Sequence, residues 1–311
     1  MTRTVLVTGG FGFLGRAVAS LFKRLGYRVV GLGRGHWAAE EAAQRGFDFW
    51  LNANVGLDSL VSLDEQFELV VHCAGNGSVG YSLKHPLQDF QKTVHSTADL
   101  LEYVRLNCPQ AAVIYPSSAG VYGCKEDAPI RESDPLTPIS PYGVHKRIAE
   151  DLLRSYSDTF GIRVAVIRFF SIYGPGLTKQ LLWDAAARLS APGTGPAEFW
   201  GTGGETRDWI SSSDAAKLVA TVAQTQERFL VLNGASGVRC TVRDTLLLLR
   251  ETLGTSRDIV FNNIVRAGDP LYYHADISRA QSLGWRAQVD LRTGLQAYVR
   301  WLKGHLGATI D

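Results

Sequence analysis

The apolar positions of the chain follow two alternating patterns. Continuous apolar runs at 4–7, 27–32, 47–51, 67–71, 111–115 and 163–169 read as short strands buried on both faces. Between them apolar residues recur every three or four positions, the period of a helix lying on a sheet. The stretch 16–25 presents Ala17, Val18, Leu21, Phe22 and Leu25, and the stretch 86–105 presents Phe90, Val94, Leu100, Leu101 and Val104. A further helix is predicted over 142–160. The remainder is less regular. Helices are predicted at 181–189, from about Ser213-Asp214, at 242–253 and at 291–302, with strands at 198–200, 229–232 and 259–266. Alternating strands and helices predict an α/β fold with a doubly wound parallel sheet. The expected division is a dinucleotide-binding domain over 1–170, joined by parts of 207–232, and a smaller, interleaved C-terminal substrate domain over 171–311.

The first strand and helix are joined by Thr8-Gly9-Gly10-Phe11-Gly12-Phe13-Leu14-Gly15. Gly9, Gly12 and Gly15 stand three apart. Glycine lets the chain turn sharply and lets a pyrophosphate approach with no Cβ in the way, and the helix N-terminus supplies N–H groups and a positive dipole end. Such a turn between a strand and a helix predicts a Rossmann-type dinucleotide site. The fourth strand runs out at His72-Cys73-Ala74-Gly75, small residues that suit a backbone lying against the cofactor, with His72 read as structural. The third strand leads to Asn52 and Asn54. An acidic residue usually closes the second strand and holds the adenosine ribose. Gly33 takes that place and Arg34 follows, with His36 nearby. Arg34 is able to pair with a 2′-phosphate, so NADP is favoured over NAD, the alternative being that Arg34 faces solvent or adenine and admits either.

Composition narrows the class without adding to it. Of 311 residues, 45% are hydrophobic and 20% charged, and the net charge of +2 gives no argument for nucleic acid or an acidic membrane surface. No apolar run is long enough to span a bilayer, and there is no signal peptide pattern. The four cysteines, Cys73, Cys108, Cys124 and Cys240, form no metal or redox spacing and are read as reduced thiols of a cytoplasmic protein. No metal site is expected. Cys124 follows a candidate active-site segment and is read as a bystander.

Tyr142 and Lys146 stand four apart at the start of a predicted helix, so both side chains leave one face. A free tyrosine has a pKa of about 10. A neighbouring ammonium, aided by a positive nicotinamide, would stabilise the phenolate and make it a base. Tyr142 could then exchange a proton with a sugar hydroxyl while hydride passes to or from the nicotinamide, with Ser118 hydrogen-bonded to the same oxygen. By chance alone Tyr-x-x-x-Lys is common; its weight comes from following a glycine turn and a serine-bearing strand end.

With these motifs in order, the chain resembles the extended short-chain dehydrogenases/reductases, specifically the nucleotide-sugar epimerase/dehydratase group and its UDP-glucose 4-epimerase-like members. The resemblance rests on residues 8–15, His72-Cys73-Ala74-Gly75, 117–123, Pro141-Tyr142-Gly143-Val144-His145-Lys146, 168–176, Arg207-Asp208-Trp209 and Arg266-Ala267-Gly268-Asp269. It implies that Ser118, Tyr142 and Lys146 are catalytic and that Lys146 also holds the nicotinamide ribose. It implies cofactor contacts at Gly9, Phe11, Gly12, Phe13, Leu14, Gly15, Arg34, Asn54, Cys73, Ala74, Gly75, Thr93, Ser117 and Phe170. It implies substrate contacts at Ser171, Gln180, Leu181, Phe199, Trp200, Arg207, Arg266, Asp269 and Tyr273, with Arg207 and Arg266 on the diphosphate. Three departures matter. Thr93 and Ser171 stand where the family usually has asparagine, and Ala119-Gly120 replaces the acidic pair of the dehydratases, which argues against a 4,6-dehydratase. The implied enzyme is a nucleotide-sugar 4-epimerase. A 4-ketoreductase using NADPH would employ the same residues, and a non-catalytic cofactor-binding regulator would not need the trio. The helices at 86–105 and 142–160 resemble the pair that forms the family's dimer interface, so a homodimer is expected.

Overall fold

The computed structural model describes residues 3–193, 195–264 and 271–307. In chain order the first half comprises β1 (Thr4–Thr8), α1 (Phe13–Arg24), β2 (Arg28–Gly33), α2 (Ala39–Gln44), β3 (Phe49–Asn52), α3 (Leu57–Val61), β4 (Leu69–His72), α4 (Val79–Lys84), α5 (Pro86–Phe90), α6 (Ser96–Asn107), β5 (Ala112–Ser118) and α7 (Pro141–Phe160). The second half comprises β6 (Arg163–Phe169), β7 (Ser171–Tyr173), α8 (Gln180–Ser190), β8 (Ala197–Phe199), β9 (Thr206–Ser211), α9 (Ser212–Val222), β10 (Phe229–Gly234), β11 (Arg239–Thr241), α10 (Val242–Leu253), β12 (Ile259–Phe261), α11 (Ser278–Ser282) and α12 (Leu291–Gly307).

Seven strands form one parallel sheet in the order β3-β2-β1-β4-β5-β6-β10. The chain departs in opposite directions from β1 and β4, and a crevice opens at their carboxyl ends, where this architecture binds ligands. One face of the sheet is covered by α1 and α9 through Val18, Phe22, Leu218 and Val222; the other is covered by α6 and α7 through Leu100, Val104, Ala149 and Leu153. Phe22 and Leu100 are fully buried, and each such side chain contributes roughly 1.5–3 kcal/mol. A separate apolar cluster joins α8, α10 and α12 through Leu182, Leu189, Leu246, Leu295 and Tyr298. No helix among the described residues is long and apolar enough to cross a membrane.

The strands from the apolar runs form as expected, and β6 coincides with the predicted span. The stretch 86–105 departs from one uniform helix: between α5 and α6, Gln91–His95 forms a π-helical turn. The Ser96 and Thr97 hydroxyls bond back to the carbonyls of Lys92 and Thr93 just there. The strand expected over 259–266 is only Ile259–Phe261; its residues beyond 264 lie outside the described residues. The short helices α2 to α4 and the strands β7 and β11 escaped the pattern, because a segment of three to six residues carries too little periodicity to read.

Candidate active site

The glycine turn is shaped partly by the protein and partly by open space. Gly9 has φ +65°, and a Cβ there would lie 2.6 Å from the backbone of Cys73 and Ala74. A Cβ on Gly15 would lie 2.5 Å from the Gly9 carbonyl oxygen. Both glycines are therefore required by packing between β1, α1 and the end of β4. Gly12 differs. Its backbone is extended, and a Cβ would meet only the Gly9 oxygen, at 3.1 Å. It faces the crevice.

The end of β4 is pinned by His72, which is buried between two threonines: Thr8 Oγ1 lies 2.7 Å from Nδ1 and Thr97 Oγ1 lies 3.2 Å from Nε2. Thr97 donates to the Thr93 carbonyl, so it accepts from Nε2–H, and Thr8 donates to Nδ1. Burial, with a smaller push from Lys146, lowers the imidazole to about 3, which keeps it neutral. His72 is structural, as its place in the sequence suggested. Burial drives the Cys73 thiol up to about 12, so it is no nucleophile.

On the other side of the crevice, β5 and α7 carry the polar trio. Ser140 caps α7 by accepting from the Gly143 N–H at 3.2 Å, Pro141 occupies its first turn, and Ser82 of α4 accepts from the Tyr142 N–H at 3.0 Å. These contacts fix the first turn and hence Tyr142 and Lys146. Ser118 Oγ accepts from the Gly120 N–H at 3.1 Å, leaving its own O–H to donate. Gly120 lies beside both the hydroxyl and the phenol ring: a Cβ there would lie 3.3 Å from the ring and 3.4 Å from Ser118 Oγ. Lys146 is buried, donates to the Pro116 carbonyl at 3.0 Å, and lies over the Tyr115 ring. Burial lowers its ammonium to about 8, against the opposing pull of Cys73, Glu150 and Asp89.

Tyr142 is not depressed in the protein alone. Burial raises its pKa, Ser118 offsets part of that, and Asp89 adds to it. Desolvation of the phenol outweighs the Ser118 hydrogen bond.

These groups share a cavity of about 610 Å³ with Gly9, Gly12, Phe13, Leu14 and Gly15, and with Cys73 and Gly75. Phe170, Ser171, Gln180, Leu181 and Tyr273 also line it, as do Phe199, Trp200 and Arg207. Ser117 lines it as well, and its hydroxyl donates to Glu150 at 2.5 Å. Glu150 in turn holds Arg168 at 2.8 Å, both buried. Burial alone would lower the Arg168 guanidinium; Glu150 overrides it and raises it. Ala74, Thr93, Phe11, Arg34 and Asn54 stand outside the cavity lining. Ala74 donates its N–H to Thr8 Oγ1 at 3.3 Å. Thr93 packs beside Gly75 with a buried hydroxyl that has no hydrogen-bond partner. Phe11 stacks on Trp37 with ring centroids 4.5 Å apart, and Arg34 and Asn54 are exposed. Arg266 and Asp269 lie outside the described residues. The sequence reading missed Asp184 and Arg188, which line the cavity from the same face of α8 as Leu181, and Lys179 just before that helix. The 181, 184, 188 spacing was the available signal.

A crevice at a strand-order switch, walled by a glycine turn and a Ser-Tyr-Lys trio, defines a dinucleotide-dependent class, and the family match agrees. The chain belongs to the NAD dependent epimerase/dehydratase family, whose model matches residues 5–232. It is 26% identical over 311 residues to a putative UDP-glucose 4-epimerase of Methanocaldococcus jannaschii, covering 97% of this chain and 99% of that one. Among solved structures it resembles MoeE5 in complex with UDP-glucuronic acid and NAD, with TM-score 0.87, 27% identity, and 97% and 99% of the two chains covered. It also resembles the UDP-glucuronic acid 4-epimerase from Bacillus cereus in complex with UDP-glucuronic acid and NAD, with TM-score 0.84, 26% identity, and the same coverage. The Rossmann-type fold and the family read from the motifs are thus borne out.

Proposed function

We propose that this protein is a nucleotide-sugar 4-epimerase acting by transient oxidation at C4 and return of the hydride. The observation that carries the reading is that Ser118, Tyr142 and Lys146 converge on the same cavity as the glycine turn. The residues fit a dinucleotide: Gly12 leaves the space a Cβ would fill, and Thr93 presents an unpartnered buried hydroxyl. A bound nicotinamide would supply the hydride acceptor and donor. The chain supplies the rest. Tyr142 exchanges the proton of the C4 hydroxyl, and the Ser118 O–H orients that oxygen. Lys146 contributes the positive charge that favours the phenolate, and it does so fully only below about pH 8. The flanking backbone of Ala119-Gly120 holds no acid for water elimination.

On the substrate side, Arg207 is the candidate for the diphosphate, with Phe199 and Trp200 toward the base and Ser171, Gln180, Leu181 and Tyr273 along the sugar nucleotide. Arg266 and Asp269 join them on the family resemblance alone. The relatives named above act on or bind UDP-sugars, so UDP is the nucleotide proposed. They also favour NAD as the resident dinucleotide. The NADP preference read from Gly33 and Arg34 stands as the alternative: Arg34 is exposed beside an end of β2 with no acid to bar a 2′-phosphate. Titration with both dinucleotides, repeated on Arg34→Ala, separates them.

The two-part division at about residue 170 belongs to the same proposal, with the α8–α10–α12 cluster as the core of the second part. So does a cytoplasmic site of action in carbohydrate biosynthesis, with four free cysteines suited to a reducing compartment. We also propose a homodimer, supported by exposed Leu83, Leu87 and Phe90 on α4 and α5 and Val144 and Phe160 on α7; light scattering tests it. The function is tested by incubating the protein with a panel of UDP-sugars and following products by NMR. Formation of the C4 epimer with no net consumption of reduced dinucleotide supports the epimerase. Stoichiometric loss of NADPH with a 4-keto sugar supports the reductase instead. No turnover with any sugar would favour a non-catalytic protein.

A further inference from the structure

The crevice is crossed by a segment of which the proposed function uses only the last residue, Gln180. Between β7 and α8 the chain runs Gly174-Pro175-Gly176-Leu177-Thr178-Lys179. At one end Arg16 of α1 donates to the Gly176 carbonyl at 3.2 Å, and a Cβ on Gly176 would lie 3.7 Å from the Phe13 ring. In the middle Leu177 is buried and its carbonyl accepts from the Tyr298 hydroxyl at 3.1 Å. At the other end the Gln180 side chain donates to the Gly77 carbonyl at 3.0 Å, and Gln180 holds a left-handed backbone with φ +67°. The segment is therefore tied to the first turn of α1 and to the loop after β4. Those are the two loops that flank the strand-order switch.

Lys179 lies inside this crossing. Its Nζ is 3.2 Å from where a Cβ on Gly77 would stand, and it lines the cavity. Among the described residues no hydrogen bond or ion pair holds it, Asp184 of the same cavity included. Solvent reaches the side chain through the open cavity, while the surrounding protein lowers its pKa by desolvation. A cation that lines a crevice with no counter-charge among the described residues is positioned for an anionic ligand. Gly77 is two residues beyond Gly75, in the loop that abuts Gly9, and Gly176 lies on Phe13. Gly77, the group beside Lys179 Nζ, thus belongs to the glycine-turn side of the crevice, whereas Arg207, Phe199 and Trp200 belong to β8, β9 and the turn between them.

We propose that Lys179 is the counter-charge for the pyrophosphate of the bound dinucleotide, and that the segment 174–180 is a strap that retains the dinucleotide between turnovers. The inference rests on the dinucleotide site of the proposed function. Retention suits a reaction that takes hydride and returns it within one binding event.

The test is calorimetric titration with NAD, and the rate of NAD loss on dilution, for the wild type, Lys179→Met, Lys179→Arg and Gln180→Ala. A charge-assisted hydrogen bond lost predicts about ten- to hundredfold weaker NAD binding in Lys179→Met, substantially restored in Lys179→Arg. Gln180→Ala, which frees one end of the strap, is expected to release NAD faster with a smaller change in affinity. Affinity for UDP is expected to stay within about twofold in Lys179→Met, with melting temperature and circular dichroism unchanged. NAD binding unaltered in Lys179→Met, with UDP or UDP-glucuronic acid weakened instead, would overturn the proposal and move Lys179 to the sugar nucleotide. A wild-type protein that binds no dinucleotide would overturn the dinucleotide reading itself, and this inference with it.

Discussion

Gly12→Ala separates what the glycine turn does for the fold from what it does for a ligand. Residue 12 has φ −74° and ψ 169°, a conformation open to any residue, and its Cβ would meet only the Gly9 oxygen at 3.1 Å. Alanine is a somewhat poorer helix cap than glycine, but it also reduces the entropy of the unfolded chain by about 0.4–1 kcal/mol. These terms nearly cancel, so the net change in stability is expected within about 1 kcal/mol, or a few degrees in Tm. The added methyl nevertheless projects into the crevice where a pyrophosphate would lie, and a loss of at least about 1.4 kcal/mol, tenfold in Kd, is expected for NAD. Gly9→Ala is the contrast. Its left-handed backbone costs an alanine about 1–2 kcal/mol, and the 2.6 Å approach to the Cys73–Ala74 backbone adds strain that no side chain can relieve. That variant is expected to lose stability before any ligand is added. Thermal unfolding of both apoproteins and calorimetric titration with NAD give the answer. A Gly12→Ala protein that binds NAD as tightly as the wild type, or that melts with Gly9→Ala, would refute the assignment of this glycine to the ligand.

Four further outcomes are expected. Tyr142→Phe should bind NAD within about threefold of wild type and lose at least about 100-fold in kcat, because only the proton-exchanging hydroxyl is gone; single-turnover kinetics checks it. Ser118→Ala should be milder, about tenfold, with one hydrogen bond to the reacting oxygen lost. Glu150→Gln strands Arg168 and should destabilise the protein by about 3–5 kcal/mol in urea unfolding, with part of the loss recovered in the double variant Glu150→Leu with Arg168→Met. Lys146 is held at about 8 against an ordinary value of 10.5, so the unfolded chain binds the extra proton between those limits and stability rises with pH there. The Tm advantage of Lys146→Met over wild-type apoprotein should therefore be greatest near pH 7 and narrow from pH 8 to 9.5.

The parts of this molecule that the sequence displays are those set by local demands. Buried strands must be apolar on both faces, and a turn that brings β1 against the end of β4 must be glycine, so β1, the glycine turn and β6 were legible. The Tyr142–Lys146 pair was legible because four residues is one helical turn. Ser117 shows where such reading stops. Two serines end β5, and the pleat sends their side chains to opposite faces, one toward the cavity and one to Glu150. Which of the two hydroxyls faces the cavity could not be read without that alternation. The desolvation that raises Tyr142 in the protein alone was not legible, because it depends on everything packed around the phenol and on no single neighbour. Lys179 was invisible for another reason: its place follows from the strap, and the strap is fastened by contacts to Arg16, Gly77 and Tyr298, up to 160 positions away along the chain.

The central claim is that hydride leaves C4 of the sugar and returns to the same carbon within one binding event. The most direct measurement uses a UDP-sugar deuterated at C4, turned over to its epimer in ordinary water with unlabelled free dinucleotide present. The epimer is expected to keep its deuterium at C4, with none entering solvent or the free dinucleotide, and Tyr142→Phe is expected to slow the conversion without changing where the label goes. Loss of the label to water, or its transfer to the free dinucleotide pool, would contradict it.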